Sequence, residues 1–124
     1  MTLLTCKAIL KLLQFEHHLA RKDFTALCKI VRSHTLKSKT APPNALEDVC
    51  TAVDIACIWY WKQVLCLQRS AAITCLLKEL GVSAQLVIGA QQIPFRAHAW
   101  VEVNGRVIHE RSDVHAIFAV LDRV

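Results

Sequence analysis

An α+β architecture, helices first and then a small antiparallel sheet, is predicted by three features of this 124-residue chain. Apolar residues recur at three- and four-residue steps through the first third. A second helical pattern runs from Cys66 to Leu80 and closes on Gly81. Beyond Gly81 the period changes to two, as strands require. A chain whose period switches once segregates its helices from its strands instead of alternating them. The length suits one domain with a single core, residues 1–124, in which a helical N-terminal part (1–40) precedes a core of residues 44–124.

Leu4, Ile9, Leu12, Leu13, Leu19, Leu27 and Ile30 carry the first pattern, and a break at Arg21-Lys22-Asp23 divides it into two helices. Ser33 to Asn44 is polar and ends in paired prolines, which cannot continue a helix, so it reads as a loop. Asn44, with Glu47 three residues on, has the spacing of a capping box for a third helix reaching about Trp61. The fourth helix starts at Cys66, and Cys66, Ser70, Ile73, Leu77 and Leu80 share one face of it. Gly81 follows as the residue expected in the left-handed C-terminal position. Three strands come next, at Ala84 to Ile88, Ala97 to Val103 and Arg106 to Glu110, the last two joined at Asn104-Gly105 as a hairpin.

Composition excludes several classes. The chain is 54% hydrophobic with a mean hydropathy of +0.35, oily for a domain of this size, so some apolar surface is expected to meet a partner. Its longest apolar stretches, Ile55 to Trp61 and Val82 to Ala90, fall well short of the roughly 20 residues needed to span a bilayer. No membrane helix is predicted, and Lys7 and Lys11 interrupt what would be the apolar core of a signal peptide, which points to the cytoplasm. The net charge of +5 is spread along the chain, with few aromatics among the Lys and Arg residues, arguing against nucleic acid. A groove for an acidic peptide fits as well. Cys6, Cys28, Cys50, Cys57, Cys66 and Cys75 all lie in apolar helical settings, unlike a loop-rich disulfide framework, and read as reduced thiols. No Cys/His cluster has zinc-ligand spacing, and no cofactor is implied.

Cys66 stands apart because it opens a helix, where unpaired N–H groups carry about half a positive charge and favour the thiolate. The other five cysteines read as small buried hydrophobes. A histidine brought alongside completes the activation of a thiol, and a carboxylate orients the imidazole. His98, on the first strand of the hairpin, is the candidate base. His109 and His115 are runners-up, and His17 and His18 read as a solvated helix face.

The third residue depends on register. With a two-residue turn, Val103 pairs with Arg106, His98 faces Arg111, and Glu110 points to the other face. With a three-residue loop and a G1 bulge at Gly105, His98 faces Glu110 and Glu102 faces Arg106. That second register is favoured by the Glu102–Arg106 charge pair and by Val101 opposite Val107, and it makes Glu110 the expected orienting carboxylate, with Asp113 as its alternative. The Cys66 N–H is the simplest oxyanion donor and Gln63 a second candidate. Trp100 could wall the site or belong to the core. Arg69 could bind a substrate carboxylate or tie its helix to a loop, the latter being favoured.

The string Cys66-Leu67-Gln68-Arg69-Ser70-Ala71-Ala72, the strand Leu86-Val87-Ile88-Gly89, the segment Pro94 to Gly105 with its His98-Ala99-Trp100-Val101-Glu102 center, and the closing Glu110-Arg111-Ser112-Asp113-Val114 resemble the lasso peptide leader peptidases. These belong to the transglutaminase-like cysteine protease superfamily. The resemblance covers the chain from about Pro42 onward. It implies a transglutaminase/papain-like fold in a bacterial enzyme that removes the leader from a ribosomally made precursor, with Cys66 as nucleophile and His98 as base. Family members usually carry Asp as the third residue, where this chain has Glu110, with Asp113 three residues later. The short chain resembles the split form of the family, which implies a separate leader-recognition protein as partner and a lasso cyclase acting on the freed core peptide. Two other functions fit the same residues. One is a transglutaminase-like acyl transferase, which would pass the thioester to an amine; the other is a non-catalytic peptide-binding adaptor.

Overall fold

Five helices and four strands lie among the described residues of the computed structural model, namely 2–34, 42–92, 94–109 and 114–124. The helices α1 (Leu3–Ala20), α2 (Phe24–Ser33), α3 (Ala45–Trp59) and α4 (Cys66–Glu79) precede β1 (Ala84–Gln91), β2 (Arg96–Val103) and β3 (Arg106–Ile108). A one-turn helix α5 (Val114–Ile117) and β4 (Ala119–Arg123) close the chain. The α+β order is the expected one. Most of the polar stretch between Ser33 and Asn44 lies outside the described residues.

Local chemistry explains the helix ends. Thr2 Oγ1 accepts the Thr5 N–H at 3.2 Å to start α1. Lys22 then takes a left-handed φ of 56°, and the Asp23 carboxylate caps α2 by accepting the Ala26 N–H at 3.1 Å. Asn44 does not cap α3 as expected. Its backbone, at φ −108° and ψ 24°, lacks the extended conformation that aims a capping side chain, and no side-chain cap bond forms. Instead Ala45 N–H donates to Pro42 O at 3.1 Å, and Glu47 and Asp48 complement the helix dipole. At the far end of α4, Gly81 adopts φ 92°, Val82 N–H donates to Leu77 O at 2.9 Å and Gly81 N–H to Lys78 O at 3.1 Å, a Schellman closure.

Helix α4 is the center of the molecule. Gln68 and every residue from Ser70 to Leu77 are buried, so its packing extends all round rather than along the single face that its periodicity suggests. One cluster joins α4 residues Ala72, Ile73 and Leu76 to Leu12 of α1, Val53 of α3 and Val101 of β2. Another joins Ala71 and Cys75 to Phe15, Leu27, Leu86 and Ala99. The N-terminal helices are therefore part of the same core as the sheet.

The sheet has the order β3-β2-β1-β4, all neighbors antiparallel. Its hairpin register differs from the favored one. Val103 pairs with Arg106, Glu102 with Val107 and Val101 with Ile108. Asn104 at φ 53° and Gly105 at φ 77° form a two-residue turn with both central residues left-handed, which matches strand twist without an extra residue. Glu102 therefore faces Val107, not Arg106. Among the described residues the ladder runs to Ile108 and His109 takes φ 54°; Glu110, which the expected strand included, lies outside them.

Strand β4 was not expected from the sequence. It pairs with β1 through a bulge at Ile88/Gly89, and Val124 and Leu86 exchange two backbone hydrogen bonds of 2.7 and 3.1 Å beside it. The face of the sheet away from α4 buries Val87, Trp100 and Val114, with Phe118 and Val120 packed against them. Gly89 makes this packing possible. A Cβ there would lie 2.6 and 2.8 Å from two ring carbons of Trp100 and 3.0 Å from Phe118 Cβ. Gly89→Ala is expected to destabilize the fold by about 1–3 kcal/mol through overpacking, read as a lower urea midpoint at unchanged m-value.

Candidate active site

Cys66 is the first residue of α4, and Leu65 before it holds an extended backbone at φ −77° and ψ 153°. A leucine has no oxygen with which to cap, and no side-chain cap bond forms. Gln68 instead turns its Oε1 back to accept the Leu65 N–H at 3.3 Å. With no acidic residue in the first turn, the positive end of the helix dipole is presented to the Cys66 thiol. Cys66 is partly buried, against the cluster that includes Ala71, Leu86 and Ala99.

His98 enters from the start of β2, opposite Gly89 of β1. Alternation places His98, Trp100 and Glu102 on the face of the sheet away from α4, while Ala99 and Val101 pack toward the helix. The N-terminus of α4 reaches the end of the sheet where β2 begins. Cys66 and His98 there line one small cleft of about 90 Å³, together with Phe24, Leu67, Ile88 and Ala97. This cleft, rather than a hydrogen bond between them, is what the two residues share. Its walls are almost wholly apolar. Phe24, the first residue of α2, was not anticipated there.

Ser70, one turn after Cys66, fixes the distance between helix and strand. Its hydroxyl, buried at 3% exposure, donates to Ala99 O at 3.1 Å, beside His98 in the chain. Thr74 Oγ1 in turn donates to Ser70 O at 2.8 Å. Gln68 does similar work on the opposite side, with Nε2 donating to Leu12 O at 2.7 Å. Tyr60 Oη, 3.4 Å from Gln68 Nε2, donates to Glu16 at 2.8 Å. The sequence signals for Ser70 and Gln68 were polar side chains within an otherwise apolar helix.

The remaining candidates are dispersed. Trp100 is 1% exposed, a core residue whose ring lies 6.0 Å from the His98 ring and 6.3 Å from that of Phe118. Gln63 is exposed and lines a separate groove of about 390 Å³ with Glu16, Lys62, Leu65 and Gln68. The Arg69 charge acts on the Cys50 and Cys57 thiols of α3, partly opposing their rise. His109 is tied to Asp54 of α3 by a 2.7 Å contact from Nε2 to Oδ1. Glu110 and Asp113, and the side chain of His115, lie outside the described residues.

All six cysteines are free thiols on helices, but they differ in setting. Of the five expected to be buried hydrophobes, Cys28 and Cys75 are buried, Cys50 and Cys57 are half-buried and Cys6 is exposed. Burial pushes the Cys28 and Cys57 thiols up, Cys50 to about 11 with help from Asp54, and Cys75 to about 12. Among the described residues no group of three His, Cys, Asp or Glu side chains could hold a metal ion. No helix among them is long and apolar enough to cross a membrane.

A helix that presents a cysteine at its N-terminus, packed on an antiparallel sheet whose strand brings a histidine to the same cleft, defines a class. The chain belongs to the transglutaminase-like superfamily, whose profile matches residues 9–123. It is similar to the microcin J25-processing protein McjB of Escherichia coli, with 36% identity over 59 residues, a stretch covering 48% of this chain and 28% of that protein. The match thus spans about half of this chain and little more than a quarter of McjB. No solved structure gives a significant match.

Ser70→Ala is expected to cost about 1–3 kcal/mol, because it removes the donor to a buried carbonyl; urea denaturation measures it. Cys75 carries a pH signature. Its folded pKa lies above the ordinary value of 9.0, so its contribution to stability is complete below pH 9 and is lost as pH rises toward about 12. Between pH 8 and 10.5 the urea midpoint of Cys75→Ala should fall less than that of the parent chain. Parallel declines would contradict this assignment.

Proposed function

We propose that this protein is a cysteine peptidase that removes the leader from a ribosomally made lasso peptide precursor. The observation that carries the reading is the shared cleft, which unites a thiol at the start of a buried helix with a histidine on the adjoining strand. The similarity to a microcin-processing protein and the residue strings around Cys66 and His98 support the substrate class.

In this mechanism His98 takes the Cys66 proton, and the thiolate attacks the carbonyl carbon at the leader–core junction. The Cys66 N–H at the helix start stabilizes the oxyanion. The C–N bond then breaks, the His98 imidazolium gives its proton to the departing core amine, and the leader is held as a thioester. Water, losing a proton to His98, attacks that thioester and expels the Cys66 thiolate, which takes that proton from His98, while the leader leaves as a carboxylic acid that ionizes to solvent. The orienting carboxylate is Glu110, which stands at the family's matching place, or Asp113; the two-residue turn removes the register argument that favored Glu110.

Partners fit the surface. Ile58, Trp59, Trp61 and Leu65 are each more than half exposed along the path from the end of α3 to Cys66. An apolar surface leading to the nucleophile suits a separate leader-recognition protein that delivers the precursor, with a lasso cyclase consuming the freed core.

The decisive experiment incubates a lasso precursor with this protein, with and without the recognition protein, and follows products by mass spectrometry. Cleavage to free leader and free core is expected, and Cys66→Ala should reduce it by at least about a thousandfold. Unimpaired cleavage by that variant, or a product carrying an added amine in place of water, would refute the peptidase. Alanine in place of whichever of Glu110 and Asp113 orients the imidazole should lower kcat about a hundredfold, and in place of the other much less; parent-like rates for both variants would remove a carboxylate from the mechanism.

A further inference from the structure

We infer that Glu102 is a positioning residue for His98, acting through the indole of Trp100; the inference rests on the Cys66–His98 reading above. Three residues two apart on β2, His98, Trp100 and Glu102, point to the same face of the sheet. Glu102 is 2% exposed and Trp100 1%. Trp100 Nε1 donates to Glu102 Oε2 at 2.9 Å, while Arg123 Nε stands 3.6 Å from the other carboxylate oxygen.

The far end of the indole reaches the row of His98. Gly89 lies directly opposite His98, and the Trp100 ring fills the place where a side chain at 89 would begin. His98, Trp100 and Phe118 form a three-ring cluster, with His98 centered 6.0 Å from Trp100 and 5.4 Å from Phe118 at tilts of 31° and 32°. A carboxylate at one end of the indole thus sets the indole's rotation about the sheet normal, and the indole's other end sets the plane of the imidazole.

Stability alone does not account for an acid here. A well-packed apolar pair contributes as much as, or more than, a buried charged one. A tryptophan held only by packing can rotate, whereas an N–H donor directed at a fixed carboxylate cannot without losing a charge-assisted hydrogen bond. The function assigned to Glu102 is therefore orientation, transmitted one residue pair along the strand to the base.

Cysteine labeling tests this without knowledge of the precursor. The full chain is treated with iodoacetamide near neutral pH, and the rate at each cysteine is read by peptide mass spectrometry. Cys66 should react faster than exposed Cys6, and His98→Ala should remove that advantage. W100F and E102L should slow Cys66 about tenfold, the change produced by one pKa unit in thiolate fraction. E102Q keeps an oxygen to accept the indole N–H, and Arg123, about half exposed, can turn to water; this variant should recover most of the loss.

Buried Cys75 is the internal control, since its labeling reports loss of the fold. If E102L exposes Cys75, the contrast between W100F and E102Q carries the test. The inference is overturned if W100F reacts at the parent rate with Cys75 protected, or if E102Q is as slow as W100F. If His98→Ala leaves Cys66 unaffected, the Cys66–His98 pairing itself fails, an outcome separate from any result at Glu102.

Discussion

Burial of α4 on every side is the constraint from which the rest of the structure follows. A helix enclosed by α1 and α3 on one side and by a sheet on the other needs small residues at its closest approaches, and Ala71 and Ala72 are fully buried there. Its few polar side chains must find partners within the interior, as Gln68 and Ser70 do. At its N-terminus the helix borders the small apolar cleft, a position from which a side chain stays reachable from outside. Cys66 occupies that position, whereas Cys75 in the middle of the same helix is sealed and its thiol is held in the protonated form.

The sheet works as a plate with two distinct faces. Toward α4 it presents Leu86, Ala99 and Val101, which join the main core. Away from α4 it carries the aromatic cluster of His98, Trp100 and Phe118, placed over Gly89. His98 is thus supported from the side of the plate remote from Cys66, yet it lines the cleft that Cys66 also borders. The Ser70 hydrogen bond to Ala99 fixes the strand against the helix at this point, one residue from His98 and one helical turn from Cys66.

Much of this was legible in the sequence because it is written in local periodicity and turn chemistry. The break at Lys22, the start of α4 at Cys66, the closure at Gly81 and the Asn104-Gly105 hairpin each follow from a few adjacent residues. The hairpin register was not, since Asn-Gly suits both a two-residue turn and a bulged loop, and the choice turned on a Glu102–Arg106 pairing that does not form. Glu102 instead satisfies a tryptophan two residues away on its own strand. Strand β4 is not legible in the sequence because Ala119-Val120-Leu121-Asp122-Arg123 has no clean alternation, being a largely exposed edge whose partner β1 lies some thirty residues earlier. Asn44 had the right spacing for a cap but not the backbone conformation.

Phe24 has a consequence for how the molecule can be divided. It belongs to α2, far before Cys66 in sequence, yet it forms a wall of the same cleft. Arg32, at the end of that helix, reaches Asp122 on β4 at 2.9 Å, joining the first third of the chain to its last strand. The division near residue 44, between the helical N-terminal part and the rest of the single domain, therefore does not set the cleft apart. A fragment cut there would expose Ala71, Cys75 and Leu86 and would leave Cys66 at an open edge instead of in a pocket. The smallest unit that retains the cleft includes α2, and grafting or minimizing this site must carry that helix along.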